Sequence, residues 1–193
     1  MRNTRADVVA AALRVLAAQG LESCSMRRVA AELDVQPSAL YHHVPNKQSL
    51  LALMADEIVR RVRLDGSDPR ALCTELRDAM LAVRDGADVV ATVEAFRLGS
   101  SAVEGRLAEL VGADGAKTLL LYTFGHTQST QTHRQAAEFG ALLDVPRSEI
   151  PVTRPEEDLD ASFARGIDII LAGLAAGASD PGRASTAAGL KTV

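Results

Sequence analysis

The sequence has no tryptophan, only two cysteines, and so few aromatic residues (3%) that Leu, Val and Ala must build whatever core it forms. No apolar run approaches the ~18 residues of a membrane-crossing helix. The first 20 residues are basic and then apolar, but Asp7, Arg14 and Gln19 interrupt them at helical spacing and no clear cleavage site follows, unlike a signal peptide. Cys24 and Cys73 have neither a metal nor a redox spacing, so both are expected to be reduced thiols of a cytoplasmic protein. Period-two alternation and internal repeats are missing, which argues against a sheet and against a solenoid. A G-x-S-x-G elbow, a P-loop, an H-E-x-x-H pair and a pair of carboxylates placed for a cleft are missing too. Neither an enzyme nor a bound cofactor is expected.

What is present is a chain of 193 residues, 47% apolar and 24% charged, long enough to bury a core and to hold one domain plus a smaller one. Its net charge of −4 conceals a division. Residues 1–63 hold nine Lys/Arg and six Asp/Glu, a balance of +3, which leaves −7 on the remainder. A basic first third on an acidic body is the asymmetry expected of an electrostatic footprint for nucleic acid.

Helical periodicity runs almost throughout, and the fold class is expected to be all-α. Thr4 and Asp7 form a possible capping box for a helix that buries Val9, Ala12, Leu13 and Leu16 and stops at Gly20. Ser25 can cap a short second helix striped by Met26, Val29 and Leu33, which "DVQP" breaks. Pro37 suits the first turn of a third helix, about 37–43, and Asn46 caps a long fourth, 46–64. Asp68 and Pro69 open the next, followed by shorter helical pieces from 86 to 111 and a long segment from about 114 to 142. A proline-rich loop, 142–158, separates these from a strongly apolar closing helix, and the Gly/Ala/Ser-rich end reads as a frayed tail.

Two short helices joined by a tight turn and preceded by a stabilising helix make a helix-turn-helix, whose second helix enters the major groove. Pro37, Ser38 and Ala39 are small enough to bring that backbone close to the bases, while Leu40 and Val44 anchor its opposite face to Val29 and Leu33. Tyr41, His42 and His43 project from the groove side, where they can donate to phosphates or lie against thymine methyls. Lys47 adds a charge at a helix N-terminus, and Arg27 is suited to bidentate reading of a guanine. Arg28, the next residue on that helix, is taken as a further DNA contact.

With those residues in view, 4–51 resemble the DNA-binding domain of the tetracycline-repressor (TetR) family, in the run "SMRRVAAELDVQPSALYHHVPNKQSLL", with Leu40 to Lys47 its most specific part. More loosely, "VRDGADVV" (83–90), "YTFGHTQST" (122–130) and "FARGIDIILAGL" (163–174) resemble the body of the tetracycline-repressor branch. The resemblance implies a base contact by Arg27. It also implies a groove-facing surface of Pro37, Ser38, Ala39, Tyr41 and His42, and phosphate contacts by His43 and Lys47. Ala39 cannot donate a hydrogen bond and His42 replaces a common aromatic, so the operator should differ from that of the tetracycline repressor itself.

One recognition helix reads too few base pairs for useful specificity, so a homodimer on double-stranded operator DNA is expected. The family resemblance implies that it forms through a four-helix bundle made by 114–142 and 158–175 of both subunits. It implies a helix-turn-helix DNA-binding domain over 1–46, a helical effector-binding and dimerisation domain over 47–177, and a tail over 178–193. In the tetracycline-repressor branch a magnesium–tetracycline chelate is held partly by histidines; the corresponding positions here are Arg61 or Val62, and Val90. A small-molecule effector is therefore expected to be something other than tetracycline, apolar or aromatic with a few polar groups.

Within "TFGHTQSTQTH", His126, Gln128, Thr130 and Gln131 are either the polar groups that orient such a ligand or satisfied polar groups of a core. Met80, Val83, Phe96, Phe124 and Phe139 either line its cavity or are plain core. His126 and His133 lie seven residues apart, roughly 10 Å along a helix, and cannot close on one metal ion. The expectation is a repressor released by its effector; the alternative is a constitutive repressor or architectural factor with no effector.

Overall fold

The structure, a computed structural model, describes residues 3–96, 101–138 and 158–178. Phe139, most of the proline-rich loop and nearly all of the tail lie outside the described residues. Among the described residues there are eight α-helices and no strand, as the periodicity implied.

Local chemistry sets the first four helices. α1 (Arg5–Gln19) opens on the reciprocal Thr4–Asp7 box, with Asp7 N–H donating to Thr4 Oγ1 at 3.2 Å and Thr4 N–H to Asp7 Oδ2 at 2.7 Å. It closes at Gly20, whose φ of 78° is the left-handed conformation that glycine adopts without strain. α2 (Met26–Glu32) is capped by Ser25, and the chain then turns through Asp34 at φ 54°, a conformation Asp tolerates better than most residues. α3 is only Pro37–Leu40; Tyr41 to His43 continue as turn. α4 (Lys47–Val59) is capped by Asn46, which accepts from Ser49 N–H at 2.8 Å. It ends five residues before the expected 64, because Val62 N–H turns back to Val59 C=O (3.0 Å) in a tightened last turn.

α1, α2 and α3 pack around Leu16, Val29, Leu40 and Val44, all buried. Leu33, expected in that anchor, sits half-buried at its edge. α4 then joins two layers, packing against α1 on one side and against α5 (Pro69–Leu81) and α6 (Gly86–Ala95) on the other. α7 (Ala102–Glu138) packs on α5, α6 and α8 (Leu159–Ala178). The break expected near 112 is present inside α7, as a kink at Gly112 with φ 79° and ψ 163°.

Candidate nucleic-acid interface and ligand cavity

The nine residues expected to meet DNA lie on α2, α3, the turn after it and the start of α4. Burial of Leu40 (1% exposed) and Val44 (0%) turns the other side of that turn outward. Ser38, Ala39, Tyr41 and His42 are exposed, Pro37 and His43 half-buried, and Tyr41 retains 53% of its surface. Arg27 and Lys47 are exposed, and among the described residues neither makes a side-chain hydrogen bond or ion pair. Arg28 differs: its Nε donates to Gln19 Oε1 at 2.6 Å, tying α2 to the end of α1. Several arginines elsewhere are matched by acids, Arg63 by Glu75 (2.5 Å), Arg77 by Asp160 (2.6 Å) and Arg106 by Glu109 (2.6 Å). Charges left unmatched, as on Arg27 and Lys47, can be given to phosphates without breaking an existing pair.

Behind this face, the end of α4, together with α5, α6 and α7, encloses a partly open cavity of about 240 Å³. Val59, Val62, Val90, Val93 and Phe124 form much of its wall, and Asp56, Arg60, Glu94 and Ser101 are its polar groups. Val90 and Val62 line it, the first at one position where the resemblance finds no metal-binding histidine, the second one of the two candidates, with Arg61, for the other. Burial pushes the Glu94 carboxyl above its ordinary range; Ser101 draws it back in part, and the charges of Glu104 and Asp56 raise it further.

Of the eight described residues expected to touch a ligand, Phe124 alone lines this cavity. Met80 is wholly buried core, and Phe96, at the end of α6, is 70% exposed. Val83 faces an open groove shared with Leu13, Ile58 and Ala79. The polar run of α7 is used internally instead. Gln131 Oε1 accepts from Ala87 N–H (3.1 Å) and its Nε2 donates to Val83 C=O (2.8 Å). Gln128 Nε2 donates to Asp88 Oδ1 (2.9 Å), and the Thr130 hydroxyl to His126 C=O (2.8 Å). His126 packs its ring at an angle to Tyr122 and edge-on to Phe163, with centroids 5.6 and 5.3 Å away. These side chains fasten α7 to the α5–α6 turn and to α8.

The α5–α6 turn is itself a junction. The Arg84 guanidinium donates to Ala17 and Ala18 C=O at the end of α1 (3.4 and 3.3 Å). Asp85, at φ 54°, accepts from Leu21 N–H (2.7 Å) and from Gln135 Nε2 (2.7 Å). The sequence reading missed both this junction and the cavity acid Glu94. A signal for Glu94 exists in "VVATVEAF": one carboxylate lies on the same helical stripe as Val90 and Val93.

A family profile described as "Bacterial regulatory proteins, tetR family" matches residues 8–54, the region of α1 to α4. The crystal structure of BioQ with its natural double-stranded DNA operator shares 31% identity and a TM-score of 0.73, covering 90% of this chain and 99% of that one. This chain belongs to the TetR family. It is a helix-turn-helix transcriptional regulator that binds DNA. Similarity extends across the body of this TetR-family regulator. The tetracycline repressor of class C from Escherichia coli is 29% identical over 88% of this chain and 90% of its own length. The Streptomyces coelicolor TetR family protein ActR in complex with actinorhodin shares 28% identity and a TM-score of 0.76, covering 93% and 100%. The transcriptional repressor DrrR1 of Streptomyces coeruleorubidus is 53% identical over 53 residues, a match that spans 28% of this chain and only 20% of DrrR1.

Proposed function

We propose that this regulator is a homodimeric repressor that leaves a near-palindromic operator when a small molecule other than tetracycline enters the body cavity. The observation that carries the proposal is the position of α4. Its first residue, Lys47, is exposed beside the helix-turn-helix, and its last turn, Asp56 and Val59, together with Val62 just beyond it, forms part of the cavity wall. Thirteen helical residues span roughly 20 Å as one rigid rod. An occupant that fits one tilt of α4 better than another shifts the separation of the two recognition helices in a dimer, in proportion to that difference in affinity.

Relatives supply parallels: BioQ has been seen with an operator, and ActR with actinorhodin. A constitutive repressor predicts a body filled by side chains, and the 240 Å³ cavity argues against it. Domain roles follow, with 1–46 contacting DNA through Arg27, Arg28, Pro37, Ser38, Ala39, Tyr41, His42 and His43, and 47–177 holding effector and dimer contacts, its first residue Lys47 adding a phosphate contact. Arg28 contributes by fixing α2 as much as by touching DNA.

Fluorescence anisotropy on the DNA upstream of the protein's own gene, against scrambled DNA at two salt concentrations, tests the reading. Binding at least ~1,000-fold tighter to the upstream DNA is expected of a specific repressor. Lys47→Ala should weaken binding to both DNAs and flatten the salt dependence by about one unit of slope. Absence of binding to either DNA would sink the proposal.

A further inference from the structure

The cavity has apolar walls and an excess of one charge. Of its polar groups, Arg60 already holds Glu57 at 2.8 Å, with most of its side chain in solvent. Asp56 and Glu94 have no basic partner among the described residues. Glu94 is half-buried, and Glu104 adds a further negative field. A neutral or anionic occupant would cover the opening and leave the Glu94 carboxylate with less water and no counter-charge. A basic nitrogen would supply the missing partner as a charge-assisted hydrogen bond, stronger than a neutral one.

We propose that the cavity selects amphiphilic amines, with the protonated nitrogen between Glu94 and Asp56 and a ring body against Val59, Val90, Val93 and Phe124. The inference rests on the cavity being the effector site. At about 240 Å³ the cavity is smaller than the ~300–1,000 Å³ usual for drug-sized ligands, which fits a body of one or two rings.

A matched set tests the charge: 1-naphthylmethylamine, 1-naphthalenemethanol and 1-naphthoic acid present one ring system as cation, neutral and anion at pH 7. The protein has no tryptophan, so naphthalene emission reads binding against a dark background. The amine is expected to bind at least tenfold tighter than the alcohol, about one charge-assisted hydrogen bond, with the acid weakest. Glu94→Gln, or Asp56→Asn, should bring amine and alcohol to within about threefold of each other, with the alcohol reporting an intact cavity. An alcohol or acid that binds as tightly as the amine overturns the amine class and leaves a ligand-responsive cavity standing. A preference for the amine that persists in both variants overturns the carboxylate assignment. Failure of all three to bind at about 1 mM overturns the effector site itself, and the proposed release with it.

Discussion

Glu94 and Asp160 are two acids whose surroundings push them in opposite directions. The Arg77 guanidinium, 2.6 Å away, holds Asp160 below its usual range, so its contribution to stability is present near neutrality and is lost as pH falls. Burial holds Glu94 above its usual range. The folded chain then binds that proton more tightly than the unfolded chain, and ionised Glu94 costs stability at every pH above its folded pKa. That cost shrinks as pH falls and vanishes below the ordinary glutamate value of about 4.3. Glu94→Gln should therefore raise the melting temperature at neutral pH, with the gain disappearing in acid. Thermal melts followed by circular dichroism between about pH 4 and 8 check this sign; an equal gain at every pH would mean that the carboxylate's charge is not the cause. A residue that reduces stability while lining a cavity fits a functional acid better than a core one. Its place on an apolar stripe was legible in the sequence, but the neighbouring charges of Asp56 and Glu104 come from other helices and were not.

Among the elements, the α5–α6 turn shows how a loop can hold two layers together. Glycine is required at position 86 by a close approach: a Cβ there would overlap the Met80 carbonyl oxygen and press on Val83. Gly86→Ala must shift the turn that Arg84, Asp85 and Gln131 tie to α1 and α7, so a loss of about 1–3 kcal/mol is expected, measured by urea unfolding. No change in midpoint would mean that the turn relaxes freely. The "VRDGA" run announced itself only as a resemblance, because its partners at Ala17, Leu21, Gln131 and Gln135 are distant in sequence. Caps behave in the opposite way. Thr4, Ser25, Asn46 and Asp68 each accept from a backbone N–H two or three residues ahead, and all four were readable from spacing.

At the scale of the whole molecule, the acidic body ends in helices that each leave a large apolar side chain open to solvent. Leu121 on α7 is 63% exposed and Ile169 on α8 is 73% exposed. The proposed four-helix interface would cover both. Ile169→Glu places a charge where the single chain is already open to solvent, so the fold should persist while the dimer fails. Sedimentation velocity should show monomers at concentrations where the unaltered protein is dimeric, and operator affinity should fall with it. A variant that stays dimeric would move the interface away from this face of α8.

The amino-acid sequence determined the helical class, the caps and the helix-turn-helix, because each depends on residues within about one turn of one another. It also determined the apolar anchor of α3, since Leu40 and Val44 need only face Val29 across a short turn. The tertiary structure decided which polar side chains remain free. Gln128 and Gln131 read equally as ligand groups or as core polar groups until Asp88, Val83 and Ala87 arrive to satisfy them. It also decided that the cavity is walled by valines from three helices and edged by two carboxylates, because hydrogen-bond satisfaction and enclosure are properties of space, which spacing along one chain does not encode.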